Sequence, residues 1–356
     1  MAYSKRAFDD FRENSIKRMR TATSLDDECA KIKAEFTNTF FNPPVGNLHT
    51  LHTRCGELKK EISKNFPEDI DRLIEKEILP KMPLKYIKQR SEQYTQNINN
   101  RINNPIVINA DKLIQLGLSA LEEAIDSKVY PEVVFIMNHL VASRANDFNI
   151  GHIRENSTIA SSATCQYIKD PDILGTIAIL EHSKKKNNVF PNFATITIVD
   201  PKYYPLIEKA LNFLLDPENA KIPCYKSKRK YLTRVPCGPV NDKNKEWSQL
   251  RPIMIERLRF EEAIENWNDH PQVFNFGRSF VASCIQEKII ELDKDLVGVR
   301  AVELALGHLQ GSNATRSYLR LRVEPTRIPG IILKKVKDPI EVNDRQVTSG
   351  VYISRK

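Results

Sequence analysis

The stretch 96–105, QNINNRINNP, divides the chain into two parts of different character. It is rich in Asn, has no apolar periodicity and ends on a proline, which is the composition of a linker. Before it the pattern is polar and helical. Ser24 followed by Asp26, Asp27 and Glu28 supplies an N-cap hydroxyl with acids in the first turn. Residues 55–66 and 67–78 carry apolar side chains at three- and four-residue spacing until Pro80 and Pro83 interrupt it. After the divide the pattern is mixed. Residues 111–125 form an amphipathic helix, and 131–142 a more thoroughly apolar one that belongs in a core. The runs 176–180 and 194–199, rich in β-branched residues and separated by a polar turn at 182–188, read as a β-hairpin. Helices are expected over 201–215, 247–266, 278–292 and 296–308, and a β-branched run at 328–336 closes the chain.

Domains commonly hold about 100–200 residues, so 356 residues suit two. The expected division is a helical domain over 1–103, a second domain over 104–325 and a tail over 326–356. The fold class is mixed α+β, mainly helical, with a small antiparallel sheet. No apolar run of about 18 residues is present, so no transmembrane helix is expected. The start, MAYSKRAFDDFRENSIKRMR, lacks the apolar stretch of a secretory signal. Residence in the cytoplasm at the nucleoid, or in a nucleus, is the expectation.

Lys and Arg number 54 against 45 Asp and Glu, a net charge of +9. The excess is concentrated: residues 221–260 hold eleven Lys or Arg and three acids, a net +8. Within that window Tyr225, Lys226, Lys228, Arg229, Lys230, Tyr231 and Arg234 interleave bases with aromatics. A loop lying along a phosphate backbone has this pattern, and so has a solvated loop above packed tyrosines. The six cysteines, at 29, 55, 165, 224, 237 and 284, include no CxxC pair. They read as reduced, mostly buried thiols. His49, His52 and Cys55 cluster without a fourth ligand nearby, so neither a metal site nor any cofactor is expected.

A helix ending in Leu306-Gly307-His308, then a short polar loop and Tyr318, stands near the C-terminus. Alone, Gly307 reads as a helix stop and Tyr318 as a packing aromatic. Three upstream features give the motif context. Arg144 follows the apolar helix within His139-Leu140-Val141-Ala142-Ser143-Arg144, with Asp147 three residues on. Lys184, Lys185 and Lys186 occupy the hairpin turn, and Phe276-Gly277-Arg278-Ser279 opens a later helix. Arg, Lys, Arg, His and Tyr in this order resemble the active-site series of the tyrosine recombinases and phage integrases.

That resemblance implies a helical DNA-clamp domain over 1–103 and a recombinase-type catalytic domain over 104–325. Beyond 325 it implies an element of the kind such proteins exchange between protomers, or equally a closing strand on the chain's own sheet. It implies double-stranded DNA as partner, a dimer or tetramer on paired sites, and breakage and rejoining through a 3′-phosphotyrosyl intermediate without metal or ATP. Tyr318 would be the nucleophile, its aryl phosphate conserving the bond for rejoining. Arg144 and Arg278 would bind the non-bridging oxygens, and His308 would donate to them. Lys184 would protonate the departing 5′-oxygen, a role that Lys185 or Lys186 could fill instead. Lys185, Lys186, Lys226, Lys228, Arg229, Lys230 and Arg234 are the candidate DNA-binding residues.

Three positions depart from the family pattern. Asn275 stands where the second arginine box normally has a histidine, and an amide transfers no proton near neutral pH. His308 and Tyr318 are ten residues apart, one more than the commonest bacterial spacing, and Arg144 and Arg278 are 134 apart. The first two features resemble the telomere resolvases, a branch of the same superfamily, whereas the modest chain length favours integration or resolution for a mobile element. Site-specific recombination is the preferred reading. Hairpin telomere formation, a type IB topoisomerase-like activity and a catalytically inactive DNA-binding protein are the alternatives.

Overall fold

The computed structural model of the chain describes residues 5–144, 147–148, 165–179, 193–216, 218–219, 225–226, 231–232, 247–248, 258–265, 276–311, 313–319, 321–324, 330–342 and 345–356. They form two compact units, Met1–Asn100 and Arg101–Lys356.

The first unit is helical, with α1 (Lys5–Thr21), α2 (Leu25–Phe41), α3 (Leu48–Asn65), α4 (Ile70–Glu75) and α5 (Leu84–Asn103). Ser24 caps α2 by accepting from the Asp27 N–H, as its sequence context predicts. Phe36 and Phe40, one turn apart on α2, have ring centroids 4.9 Å apart and meet Phe8 and Phe11 of α1. These rings, with Ile32, Leu51, Leu58 and Ile62, fill the core of the unit. The expected linker is helix instead: α5 runs to Asn103 and passes through the boundary between the units. Asn costs only a few tenths of a kcal/mol per exposed helical position, and neither Gly nor Pro interrupts the segment before Pro105.

The second unit begins with β1 (Ile106–Ile108), α6 (Ala110–Asp126) and α7 (Tyr130–Leu140), whose every residue is buried. Next come β2 (Cys165–Tyr167), β3 (Thr176–Ile179), β4 (Phe193–Ile196), a 3-10 turn (Pro201–Tyr203) leading into α8 (Tyr204–Leu215), and a short ladder of β5 (Tyr225–Lys226) and β6 (Tyr231–Leu232). The chain continues through α9 (Phe276–Gln286), β7 (Glu291–Leu292), α10 (Gly298–Leu306), α11 (Asn313–Arg316), β8 (Leu321–Val323), β9 (Ile331–Lys335), β10 (Ile340–Val342), β11 (Arg345–Val347) and β12 (Ser349–Arg355). Helices α6, α8 and α9 all pack on α7, so the most apolar helix becomes the centre of the unit. The parallel pair β1–β8 and the hairpin β10–β11 are small separate ladders.

The main sheet has six strands in the order β2-β3-β4-β12-β9-β7. Strands β3 and β4 are the expected hairpin, paired antiparallel with Ile177 opposite Thr195. The small antiparallel sheet of the sequence reading needs correction. The sheet is mixed, with β12 parallel to β4, antiparallel to β9, and β9 parallel to β7. It is larger because residues beyond 325, expected as a tail, supply β9 and β12. Both strands pair within their own chain, and Val351 and Ile353 are fully buried.

Cys29, Cys55 and Cys284 are buried free thiols. Burial pushes Cys29 up to about 11 and Cys55 up to about 12, and raises Cys284 as well. Among the described residues no three His, Cys, Asp or Glu side chains gather where a metal would sit. No described helix is long and apolar enough to cross a membrane.

Candidate active site

The end of α7, the start of α9 and the end of α10 converge on Arg278. Its guanidinium is fully buried. Nη1 donates to the Ala142 carbonyl at 3.0 Å, just beyond α7, and Nη2 to the Leu306 carbonyl at 2.8 Å, the last residue of α10. The Leu306 carbonyl, at a helix C-terminus, lacks a partner within the helix and carries the negative end of its dipole, so it suits a buried cation; the Ala142 carbonyl lies two residues past α7. Among the described residues no carboxylate forms an ion pair with Arg278, and its Nε–H has no hydrogen-bond partner. Burial lowers its pKa; the Tyr318 oxygen opposes that shift and Arg144 adds to it.

Strand β4 fixes the distance between the two helix ends. The buried Thr197 hydroxyl donates to the Leu140 carbonyl at 2.9 Å, and the buried Thr195 hydroxyl donates to the Ala305 carbonyl at 3.1 Å. Thr195 of β4 and Thr197, the residue just after the strand, thus satisfy terminal carbonyls of α10 and α7. Gly277 brings α9 up to them: a Cβ there would lie 1.6 Å from the Asn138 carbonyl oxygen. Only glycine admits that crossing, which places Arg278 in the first turn of α9, between the helix ends.

Helix α10 ends on Gly307 in the left-handed conformation (φ 63°). The His308 N–H bonds the Glu303 carbonyl and the Gly307 N–H that of Leu304, a Schellman termination. The turn directs His308 into the site, where its Nε2 lies 3.0 Å from Arg278 Nη2 and its Nδ1 2.9 Å from Thr315 Oγ1. Burial, with Arg278 and Arg144 close by, lowers the imidazole pKa to about 4, so the ring is neutral at neutral pH. The nearly buried Glu303 carboxylate accepts the Gly311 N–H at 2.8 Å and also holds Arg300, anchoring the loop that separates His308 from Tyr318. Tyr318 follows α11, half-buried. Its ring centroid lies 5.6 Å from that of His308 and 5.1 Å from the Arg278 guanidinium carbon.

Arg144 is half-buried, with Asp147 beneath it. The Asp147 carboxylate accepts from the Arg144 N–H and from the Ser143 hydroxyl, both at 3.0 Å, and so fixes the backbone that presents Arg144. Four of the six catalytic candidates, Arg144, Arg278, His308 and Tyr318, are therefore one cluster. Lys184 and Asn275 lie outside the described residues, as do Lys185, Lys186, Lys228, Arg229, Lys230 and Arg234. Lys226 is described only as backbone, paired with Tyr231 in the β5–β6 ladder. Thr195, Thr197, Glu303 and Thr315 were missed by sequence reasoning. For Glu303 a signal existed: an acid among the apolar residues of α10, eight positions before a glycine.

The arrangement offers two guanidiniums, one neutral imidazole and one phenol, with the Asp147 carboxylate engaged by the Ser143 hydroxyl and the Arg144 N–H. Groups of these kinds are able to bind an oxyanion beside a phenol oxygen.

No protein-family model matches the chain, and no curated protein sequence matches it. Solved structures do. One is a point variant of protelomerase TelA covalently complexed with substrate DNA, 11% identical, with a TM-score of 0.61 over 91% of each chain. Another, a TelA variant complexed with a DNA hairpin product, is also 11% identical, with a TM-score of 0.61 over 91% of this chain and 90% of that one. At such identity the likeness concerns the fold, and it extends over both units. The chain thus has the fold of protelomerase TelA.

Proposed function

We propose that this protein breaks and rejoins DNA through Tyr318, and that its product is a hairpin-ended duplex rather than an integrated one. The observation that carries the reading is Arg278: a buried guanidinium without a carboxylate partner among the described residues, held by the Ala142 and Leu306 carbonyls and facing a tyrosine, an imidazole and a second arginine. Carbonyls solvate this charge without neutralising it, so the site favours an anion, and a phosphodiester is one that a basic chain meets.

The Tyr318 oxygen attacks the scissile phosphorus in line, forming an aryl phosphate as the bond to the 5′-oxygen breaks. Arg144 and Arg278 take up the charge that gathers on the non-bridging oxygens. The departing oxygen receives a proton from a lysine of the 183–186 segment, Lys184 being the first candidate. A 5′-hydroxyl then attacks the aryl phosphate and restores tyrosine. If that hydroxyl belongs to the opposite strand, the product is a hairpin. Each chain supplies one Tyr318, so cutting both strands takes two copies on an inverted repeat.

Hairpin formation over integration is supported by Asn275 in place of the second-box histidine, by the ten-residue spacing from His308 to Tyr318, and by a neighbour of the same fold whose structure contains a DNA hairpin product. The test uses a pool of randomised inverted-repeat duplexes, nicked so that cleavage is trapped. Wild type is expected to leave detergent-resistant protein–DNA adducts and, on intact duplexes, ends that snap back after denaturation. Tyr318→Phe is expected to bind DNA and leave no adduct, while Arg144→Ala and Arg278→Ala each slow cleavage by about a hundredfold or more. Adducts persisting in Tyr318→Phe would overturn the nucleophile. Recombinant joints without snap-back ends would return the reading to integration.

A further inference from the structure

The His308 ring is held at both nitrogens. A guanidinium has donors and no lone pair, so at 3.0 Å from Arg278 Nη2 the Nε2 atom must be the acceptor. The single proton of a neutral ring is then on Nδ1, where it is donated to Thr315 Oγ1 at 2.9 Å. Thr315 is 1% exposed, so no bulk water can replace its hydroxyl. The carbonyl of the same residue accepts the Tyr318 N–H at 3.0 Å. One threonine is therefore bonded to the imidazole through its side chain and to the proposed nucleophile through its backbone.

We propose that Thr315 is a positioning residue of the strand-cleavage site. Its hydroxyl fixes the His308 tautomer whose Nε2 lone pair orients Arg278, and its carbonyl ties the same helical turn to Tyr318. The guanidinium, imidazole and phenol are thereby set as one unit. In the resting site His308 accepts from Arg278, whereas the family resemblance gives it a donor role toward phosphate. The inference rests on the reading that Tyr318 cleaves DNA, and its test separates the two.

The full chain, with its histidines labelled with 15N, reports the His308 tautomer without DNA, the His308→Gln variant assigning the signal. Wild type is expected to show protonated Nδ1 and an accepting Nε2. Thr315→Val is expected to lose that preference and to slow adduct formation by about thirtyfold at unchanged DNA affinity, the scale of a small misplacement of reacting groups. Thr315→Ser is expected to restore both, which a purely steric role would not require. Thr315→Ala repeats the measurement should the valine variant not fold. Wild-type adducts, together with ring signals and rates that hydroxyl loss leaves unchanged, would overturn the positioning role alone. Absence of any wild-type adduct, with ring signals that still respond to Thr315→Val, would overturn the cleavage reading alone.

Discussion

His139 shows how one residue of the core sets a pH limit on the fold. Its ring is packed between Phe135, at a centroid distance of 4.4 Å, and Phe276 at 5.4 Å, and its Nδ1–H donates to the Phe135 carbonyl at 2.6 Å. Burial lowers its pKa to about 4 from an unfolded value of 6.5, with the carbonyl bond opposing the shift. Between those two values the unfolded chain binds a proton that the folded chain refuses, so stability rises with pH across the window and is lost as pH falls through it. The contribution is on the order of 3 kcal/mol, at about 1.4 kcal/mol per pH unit. His308 acts in the same direction and more weakly, since it is only partly buried. Urea midpoints of the second unit are therefore expected to fall from pH 6.5 to pH 4, and His139→Phe to flatten that slope. A slope unchanged by the substitution would show that the ring is not protonated on unfolding. At this scale the sequence singled out Arg144, Arg278, His308 and Tyr318, which the fold brings together. It did not reveal Thr315, Thr195 or Thr197, because a hydroxyl acquires a role only from the helix end or ring that the fold places beside it.

Among the elements, α7 and α9 fix the site by touching backbone to backbone at Gly277. Adding a methyl there puts carbon 1.6 Å from the Asn138 oxygen and 2.9 Å from the His139 Cα, so the helices must part. Overpacking against flexible side chains typically costs about 1–3 kcal/mol, and here the obstacle is main chain. Gly277→Ala is expected to destabilise the second unit by about 3 kcal/mol, read from its denaturation midpoint. It is also expected to slow the proposed DNA cleavage in whatever folded fraction remains, because Arg278 moves with α9. A loss below about 1 kcal/mol would mean that the crossing is looser than this geometry. The sequence signalled a helix start at Phe276 but not the crossing, since a glycine in a helix reads the same whether it faces solvent or another backbone. Periodicity found α6, α7 and the β3–β4 hairpin, each long enough to show it. Strands of two or three residues such as β2 and β7 hold too few side chains for any period. Helix α5 was obscured by its asparagines, which lower helix propensity without abolishing it.

For the whole molecule, the decisive element comes last in sequence. Strand β12 lies inside the six-stranded sheet, between β4 and β9, so the sheet is incomplete until the final residues arrive. It pairs Ser349 and Gly350 with Phe193 and Ala194, and residues Val351 to Arg355 with Lys335 to Ile331. It also accepts the Leu174 N–H at the Ile353 carbonyl, 2.7 Å away. Removing it strips β4 of one neighbour, and Thr195 of β4 and Thr197 just after it bond the ends of the helices around Arg278. The first unit has its own core and shares none of this. A chain ending at residue 344 is accordingly expected to lose the fold of the second unit and keep that of the first. Both tryptophans, Trp247 and Trp267, belong to the second unit and Trp247 is fully buried, so fluorescence reports that unit alone. The truncated chain is expected to emit at the wavelength of exposed indole while a helical far-ultraviolet signal persists from Met1–Asn100. A synthetic peptide of residues 345–356, added in excess, is expected to shift the emission back by completing the sheet, since the strand binds through pairing on both edges. Native-like emission from the truncated chain without the peptide would show that the sheet closes without β12, and that the strand's central place is not what holds the Arg278 cradle together.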